Sequence, residues 1–234
     1  MSDNFSIGQR LLAEFVGSAT LVYVLVSSAL LGKDMLGAST GVAVLFIAIG
    51  TAGWLFVIVE TFGEISGAHV NPAVTVGLLV SGDVDRSTAV RYIPTQFAGG
   101  IVGVVLANLS FVSILGTNVF TISSVARPPS TYLAEFLGTA LLVSVVVSSV
   151  RRDSDFVGLA VGFVVGSGIL ATSSTMFVNP QVSFARIFTS AISGVRPFDA
   201  LWYIVASFLG GIVAGLLWNY LWPKEMAEAD ALGE

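Results

Sequence analysis

Long apolar runs separated by short polar stretches dominate the chain. Six of them approach the roughly 20 residues a helix needs to cross a hydrocarbon core about 30 Å thick. They cover residues 11–31, 40–59, 92–115, 132–150, 156–174 and 199–222. Two further runs, 71–81 and 179–193, are shorter, and each opens on Asn-Pro. The pattern predicts an all-α membrane protein with six transmembrane helices and two re-entrant half-helices.

Three segments recur in the same order. Ala13-Glu14-Phe15-Val16-Gly17-Ser18-Ala19 returns as Ala134-Glu135-Phe136-Leu137-Gly138-Thr139-Ala140. Asn71-Pro72-Ala73-Val74 returns as Asn179-Pro180-Gln181-Val182, and Phe97-Ala98-Gly99-Gly100-Ile101-Val102 as Phe208-Leu209-Gly210-Gly211-Ile212-Val213. The chain therefore reads as one domain, 1–234, built from related halves at about 11–115 and 132–222, with a short tail at 223–234. Each half carries three spans, an odd number, so the second enters the membrane from the opposite face. Inverted repeats of this kind place the functional site where the halves meet, near the midplane.

In that arrangement one half-helix dips in from each face and their N-termini converge. Pro72 and Pro180 suit the first helical position, where a backbone N–H has no partner in any case. Asn71 and Asn179 suit the N-cap. Each helix start carries about +0.5 of a charge, which repels cations and hydronium but not neutral molecules. The two carboxamides can also donate hydrogen bonds to a passing water. Non-helical backbone at this depth is tolerated only where it lines a wet cavity or is buried in protein. A lone Asn-Pro would read as an ordinary helix cap, but two at matching places in a membrane repeat predict a pore for neutral solutes.

Composition agrees with a bilayer as solvent. Hydrophobic residues make up 55% of the 234 and charged residues 11%, where soluble domains carry about 25% charged. Mean hydropathy is +0.90. The net charge of −5 resides partly in Glu225, Glu228, Asp230 and Glu234, read as a solvated end. No basic patch points to nucleic acid. The absence of cysteine excludes disulfides and thiolate chemistry. A single histidine, His69, leaves little for a metal centre or catalytic triad, so neither an enzyme nor a cofactor is expected. Residues 2–9 carry Asp3 and no base, and the run that follows is long enough to span, which argues against a cleaved leader. With six spans, one side holds Arg10, Arg86, Arg91, Arg151, Arg152 and Lys224; the other holds Lys33, Arg127, Arg186 and Arg196. The bias favours cytoplasmic termini in a multi-pass cell-membrane protein.

Ser66-Gly67-Ala68-His69-Val70-Asn71-Pro72-Ala73-Val74-Thr75 resembles the first signature of the aquaporins, the major intrinsic protein family. Asn179-Pro180-Gln181-Val182-Ser183-Phe184 resembles the second, usually Asn-Pro-Ala-Arg-Ser-Phe. The Ala-Glu-Phe segments and Gly99-Gly100 match as well, so the resemblance runs from about residue 11 to 222. It implies a homotetramer in which each subunit carries its own pore for water or small neutral solutes. It also implies that Glu14, Glu135 and His69 brace the re-entrant loops.

The family's constriction is formed by four positions. Counted from the Asn-Pro motifs without gaps, they fall on Thr51, Ser167, Met176 and Val182. Val182 stands where the family usually has arginine, and no member of the set is charged or aromatic. Such a filter is expected to be wider, suiting glycerol, urea or ammonia, and to lack one barrier to cations. Arg186, four residues beyond Val182, either folds back toward the constriction or lies in the vestibule, the latter being favoured. Gln181 is expected to add a hydrogen-bonding group near the centre, and Phe177 either to narrow the pore or to shift the loop. A coupled secondary transporter and a weakly cation-leaky channel remain as alternatives.

Overall fold

The computed structural model describes residues 5–116 and 118–227, and among them every regular element is helical. α1 (Ile7–Ala29) starts at a reciprocal cap between Ser6 and Gln9 and continues through a π-helical stretch, Leu30–Met35. α2 is Thr40–Ser66, α3 is Pro72–Val80 and α4 is Arg86–Leu115, capped by Asp85. The second half repeats the order as α5 (Ser130–Arg151), α6 (Val157–Ala171), α7 (Pro180–Ala185) and α8 (Pro197–Leu221). The tail carboxylates Glu228, Asp230 and Glu234 lie outside the described residues, as does the segment before Phe5.

Among the described residues, five helices are long and apolar enough to cross a membrane: α1 with its π-helical extension, α2, α4, α5 and α8. The expected span at 156–174 is shorter than its apolar run, because α6 closes at Ala171 after 15 residues. At 1.5 Å per residue that is about 22 Å, and residues 172–179 complete the descent as a non-helical loop. The second half-helix is likewise shorter than its 179–193 run. Six α-helical residues pass into a 3₁₀ turn at Arg186–Phe188.

Packing repeats with the sequence. α1 lies along α4 and α5 along α8, while α3 packs on α8 and α7 on α4. Glycines permit the close approach. A Cβ on Gly99 would come within 2.5 Å of the Phe15 carbonyl oxygen, and one on Gly210 would meet the Phe136 carbonyl. The polarity of the body is inverted relative to a soluble domain. Leu12, Ile49, Leu141, Phe163, Leu209 and Tyr220 are exposed, while Glu14, Gln96, Glu135 and Gln181 are fully buried.

Arg151, expected to help set orientation, is not a free surface charge. It is buried, pairs with Asp83 at 3.2 Å, and donates to the Ser81, Trp218 and Trp222 carbonyls. The C-terminal ends of α3, α5 and α8 are thereby tied at one face.

Candidate functional site: a central pore

The two Asn-Pro helices are built alike. Asn71 and Asn179 adopt extended backbone angles and accept N–H bonds from the first turns of α3 and α7, with proline next in each case. Each carboxamide also donates across the repeat. Asn71 Nδ2 reaches the Val178 carbonyl and Asn179 Nδ2 the Val70 carbonyl, both at 2.9 Å. A carboxamide carries two N–H donors, and each residue lines the central cavity. One donor on each is thus structural, and the second is left for the lumen.

The loops leading into these helices carry matched strain. Ala68 and Val70 have φ of 46° and 39°, and Met176 and Val178 have 48° and 42°. A β-branched residue in the left-handed region costs about 1–3 kcal/mol. Buried carboxylates offset that cost through charge-assisted bonds. Glu14 accepts from the backbone N–H of His69 and Val70 at 2.8 Å, and from the Ser66 hydroxyl and Gln96 carboxamide. Glu135 accepts from the N–H of Phe177 and Val178 at 2.9 and 2.7 Å. The His69 ring lies 3.1 Å from the Thr75 hydroxyl and edge-on to Tyr92.

A cavity of about 600 Å³ runs within the protein, lined from both repeats. Thr51 and Leu55 of α2 line it with Val161 and Val165 of α6, and Asn71, Asn179, Met176, Phe177 and Val182 complete its middle and one mouth. The other mouth carries Glu60, Glu64, Asp83, Asp153 and Asp155. Of the four expected filter positions, Thr51, Met176 and Val182 therefore meet in one lumen. Each is buried, and among the described residues the Thr51 hydroxyl has no partner.

Ser167 does not join them. It is exposed and lines a separate apolar groove with Leu137, Leu141 and Phe163. At 100° per residue it stands about 200° around α6 from Val165, on nearly the opposite face. The gapless count from Asn179 fails because it runs through the non-helical 172–179 segment as if the helix surface were continuous with it. The α6 wall of the lumen is Val161 and Val165. The space above them is taken by Met176, whose sulfur lies against Gly168 and 3.6 Å from where a Cβ on Gly138 would stand.

The sequence reading missed these α6 residues, although their four-residue spacing, shared by Thr51, Leu55 and Val59 on α2, is the signature of one helix face. Gln181 is fully buried, with its oxygen against Gly100 and its nitrogen 3.4 Å from the Val70 carbonyl. It braces the crossing rather than facing the lumen. Arg186 is also buried. Its guanidinium carbon lies 3.3 Å from the centroid of the Phe177 ring, and Nε donates to the Ser193 carbonyl. Phe177 lines the cavity and Arg186 does not. Arg127, which sequence reading left unassigned, lies over the same ring at 5.3 Å.

Comparison with known proteins agrees with this architecture. The family model described as major intrinsic protein matches residues 1–218. The aquaglyceroporin AqpS of Rhizobium meliloti is 34% identical over 93% of this chain and 91% of its own length. Aquaporin-2 of Bos taurus is 32% identical over 98% and 84%. The probable aquaporin AqpM of Archaeoglobus fulgidus is 30% identical over 92% and 98%. Among solved structures, the aquaglyceroporin from Plasmodium falciparum superimposes with a TM-score of 0.72 over 92% of this chain and 97% of its own, a likeness of fold at 20% identity. With its inverted helical repeat and paired Asn-Pro helices, the chain belongs to the major intrinsic protein family.

Proposed function

We propose that this chain is a passive channel for water and for uncharged solutes larger than water, with glycerol, urea and ammonia the best candidates. It works as a homotetramer in a cell membrane, with both termini cytoplasmic. The observation that carries this reading is the single lumen shared by Asn71, Asn179 and Val182. The asparagines offer hydrogen-bond donors midway along the lumen, and the mouth beyond them combines one free hydroxyl, Thr51, with the apolar Val165, Met176 and Val182. A polyol or amide alternates polar and apolar surface, which such a wall accommodates. The similarity to AqpS, itself described as an aquaglyceroporin, supports the same solute class.

Stopped-flow light scattering on proteoliposomes tests the proposal. Water, glycerol and urea should each equilibrate faster than in empty vesicles, with rates linear in solute gradient and indifferent to sodium or proton gradients. Saturable uptake driven by either ion gradient would instead indicate a coupled transporter. Passage of water with complete exclusion of glycerol, urea and ammonia would contradict the wide-filter reading.

A further inference from the structure

A channel with these features has a charge problem. At the mouth lined by Glu60, Glu64, Asp83, Asp153 and Asp155, Asp83 is matched by Arg151, and the carboxylates of Glu60, Asp153 and Asp155 attract cations. At the other mouth Val182 supplies no charge, and α7, only six residues long, brings a short dipole to the centre. Two cations lie close by without touching the lumen. Arg186 and Arg127 both lie over Phe177, at 3.3 and 5.3 Å from the ring centroid. Arg186 is 3% exposed. Among the described residues neither forms an ion pair, the two pairs present being Arg151–Asp83 and Arg196–Asp199.

The surrounding carboxylates leave positive charge uncancelled. Asp199 accepts from the Arg196 side chain, the Tyr132 hydroxyl and the Arg127 backbone N–H, so its charge is matched by Arg196. Glu135 is engaged by the N–H groups of Phe177 and Val178. Setting Arg186 and Arg127 against Glu135 leaves a net charge near +1 beside the ring.

We propose that Arg186, backed by Arg127, is the cation barrier of this mouth, acting from behind the segment at Phe177, a residue that lines the lumen and on whose ring the guanidinium packs. The barrier is displaced one helical turn from position 182 and set back from the lumen, where Arg186 is buried and does not line the cavity. It therefore excludes cations without narrowing the passage for neutral solutes. The ring fits the task, since its face accepts a guanidinium favourably and anchors it at the core cluster of Phe177, Ile187, Val195, Ala200 and Tyr203. For scale, consider a cation in the lumen about 7 Å from the Arg186 charge. At an effective dielectric near 20, one unit charge at that distance lowers cation occupancy by roughly 50-fold. After partial cancellation by Glu135, the expected effect of removing one arginine is on the order of tenfold.

This inference rests on the channel reading above, and the test separates the two. Wild type, Arg186→Gln, Arg127→Gln, the double variant and Arg186→Lys are reconstituted. Glycerol flux and sodium leak are measured on the same vesicles. Glutamine keeps a donor for the Ser193 carbonyl and lacks the charge. The expected result is glycerol flux within about twofold of wild type throughout, with sodium leak raised about tenfold in each glutamine variant, more in the double, and returned toward wild type by lysine. Unchanged sodium leak in variants that still pass glycerol would overturn the proposal. Absence of glycerol flux in the wild type would instead defeat the channel reading. If the glutamine variants do not fold, the reversal potential of residual wild-type conductance in a potassium chloride gradient decides. Preference for chloride supports the barrier; preference for potassium, or none, overturns it.

Discussion

Asn71 and Asn179 each hold the carbonyl of the residue that precedes the other, Val178 and Val70, at 2.9 Å. The same side chains cap α3 and α7 through their oxygens. Each asparagine thus joins its own helix start to the opposite loop. The two halves are locked where the lumen passes between them.

That relationship needs a donor and an acceptor on one side chain. Asn179→Asp keeps an oxygen for the Gln181 and Val182 N–H groups but turns an anionic oxygen toward the Val70 carbonyl. A loss of about 2–3 kcal/mol is expected from the unmade buried bond. Asn71→Asp should behave the same way. Thermal unfolding in detergent would register both, and a stability equal to wild type would show that the cross-repeat bonds contribute nothing.

The strained loops depend on Glu14 and Glu135. Glu14→Gln replaces one acceptor with a donor facing either the His69 N–H and Ser66 hydroxyl or the Val70 N–H and Gln96 carboxamide. The expected cost is about 3 kcal/mol or more, with glycerol flux falling alongside. Glu135→Gln sets its new donor against either the Phe177 or the Val178 N–H and should cost less, about 2 kcal/mol. Paired melting curves would test the order, and equal effects would contradict it.

Gln181 occupies the space a Gly100 side chain would need, its Cδ lying 3.2 Å from where that Cβ would stand. Gly100→Ala should therefore be poorly tolerated beside glutamine and much better tolerated beside alanine. A double-mutant cycle of Gly100→Ala with Gln181→Ala is expected to give a favourable coupling of about 1–2 kcal/mol. Additive effects would mean that Gly100 is required for another neighbour.

The two faces of α6 make opposite predictions. Val165→Phe adds an aromatic ring inside the lumen and should slow glycerol by about tenfold or more, because a packed wall has little room to give. Ser167→Phe adds the same ring to the outward groove and should leave flux unchanged. Parallel stopped-flow traces would separate them, and block by the Ser167 variant would restore that residue to the filter.

What was legible in the chain follows from what repeats. The Asn-Pro caps and the Glu14 and Glu135 segments occur twice in matched order, so pattern alone identified them and the inversion relating them. Ser167 was misplaced because a count along the sequence carries no information about where α6 ends and the loop begins. Arg186 was legible as a residue one turn beyond Val182, but its burial against the Phe177 ring depends on how the segment after α7 folds back. Gln181 read as a polar group near the centre, and only the glycine surface of α4 explains why it points away from the lumen. Local chemistry was readable; which face meets which neighbour was not.

The central claim is that Val182 leaves the constriction open to solutes larger than water, and the Val182→Arg variant tests it most directly. Wild type and variant are compared in proteoliposomes by stopped-flow scattering with water, glycerol and urea. The account predicts that wild type passes all three, and that arginine abolishes glycerol and urea flux while water still moves. Passage of water alone in both proteins, or undiminished glycerol flux in the variant, would contradict it.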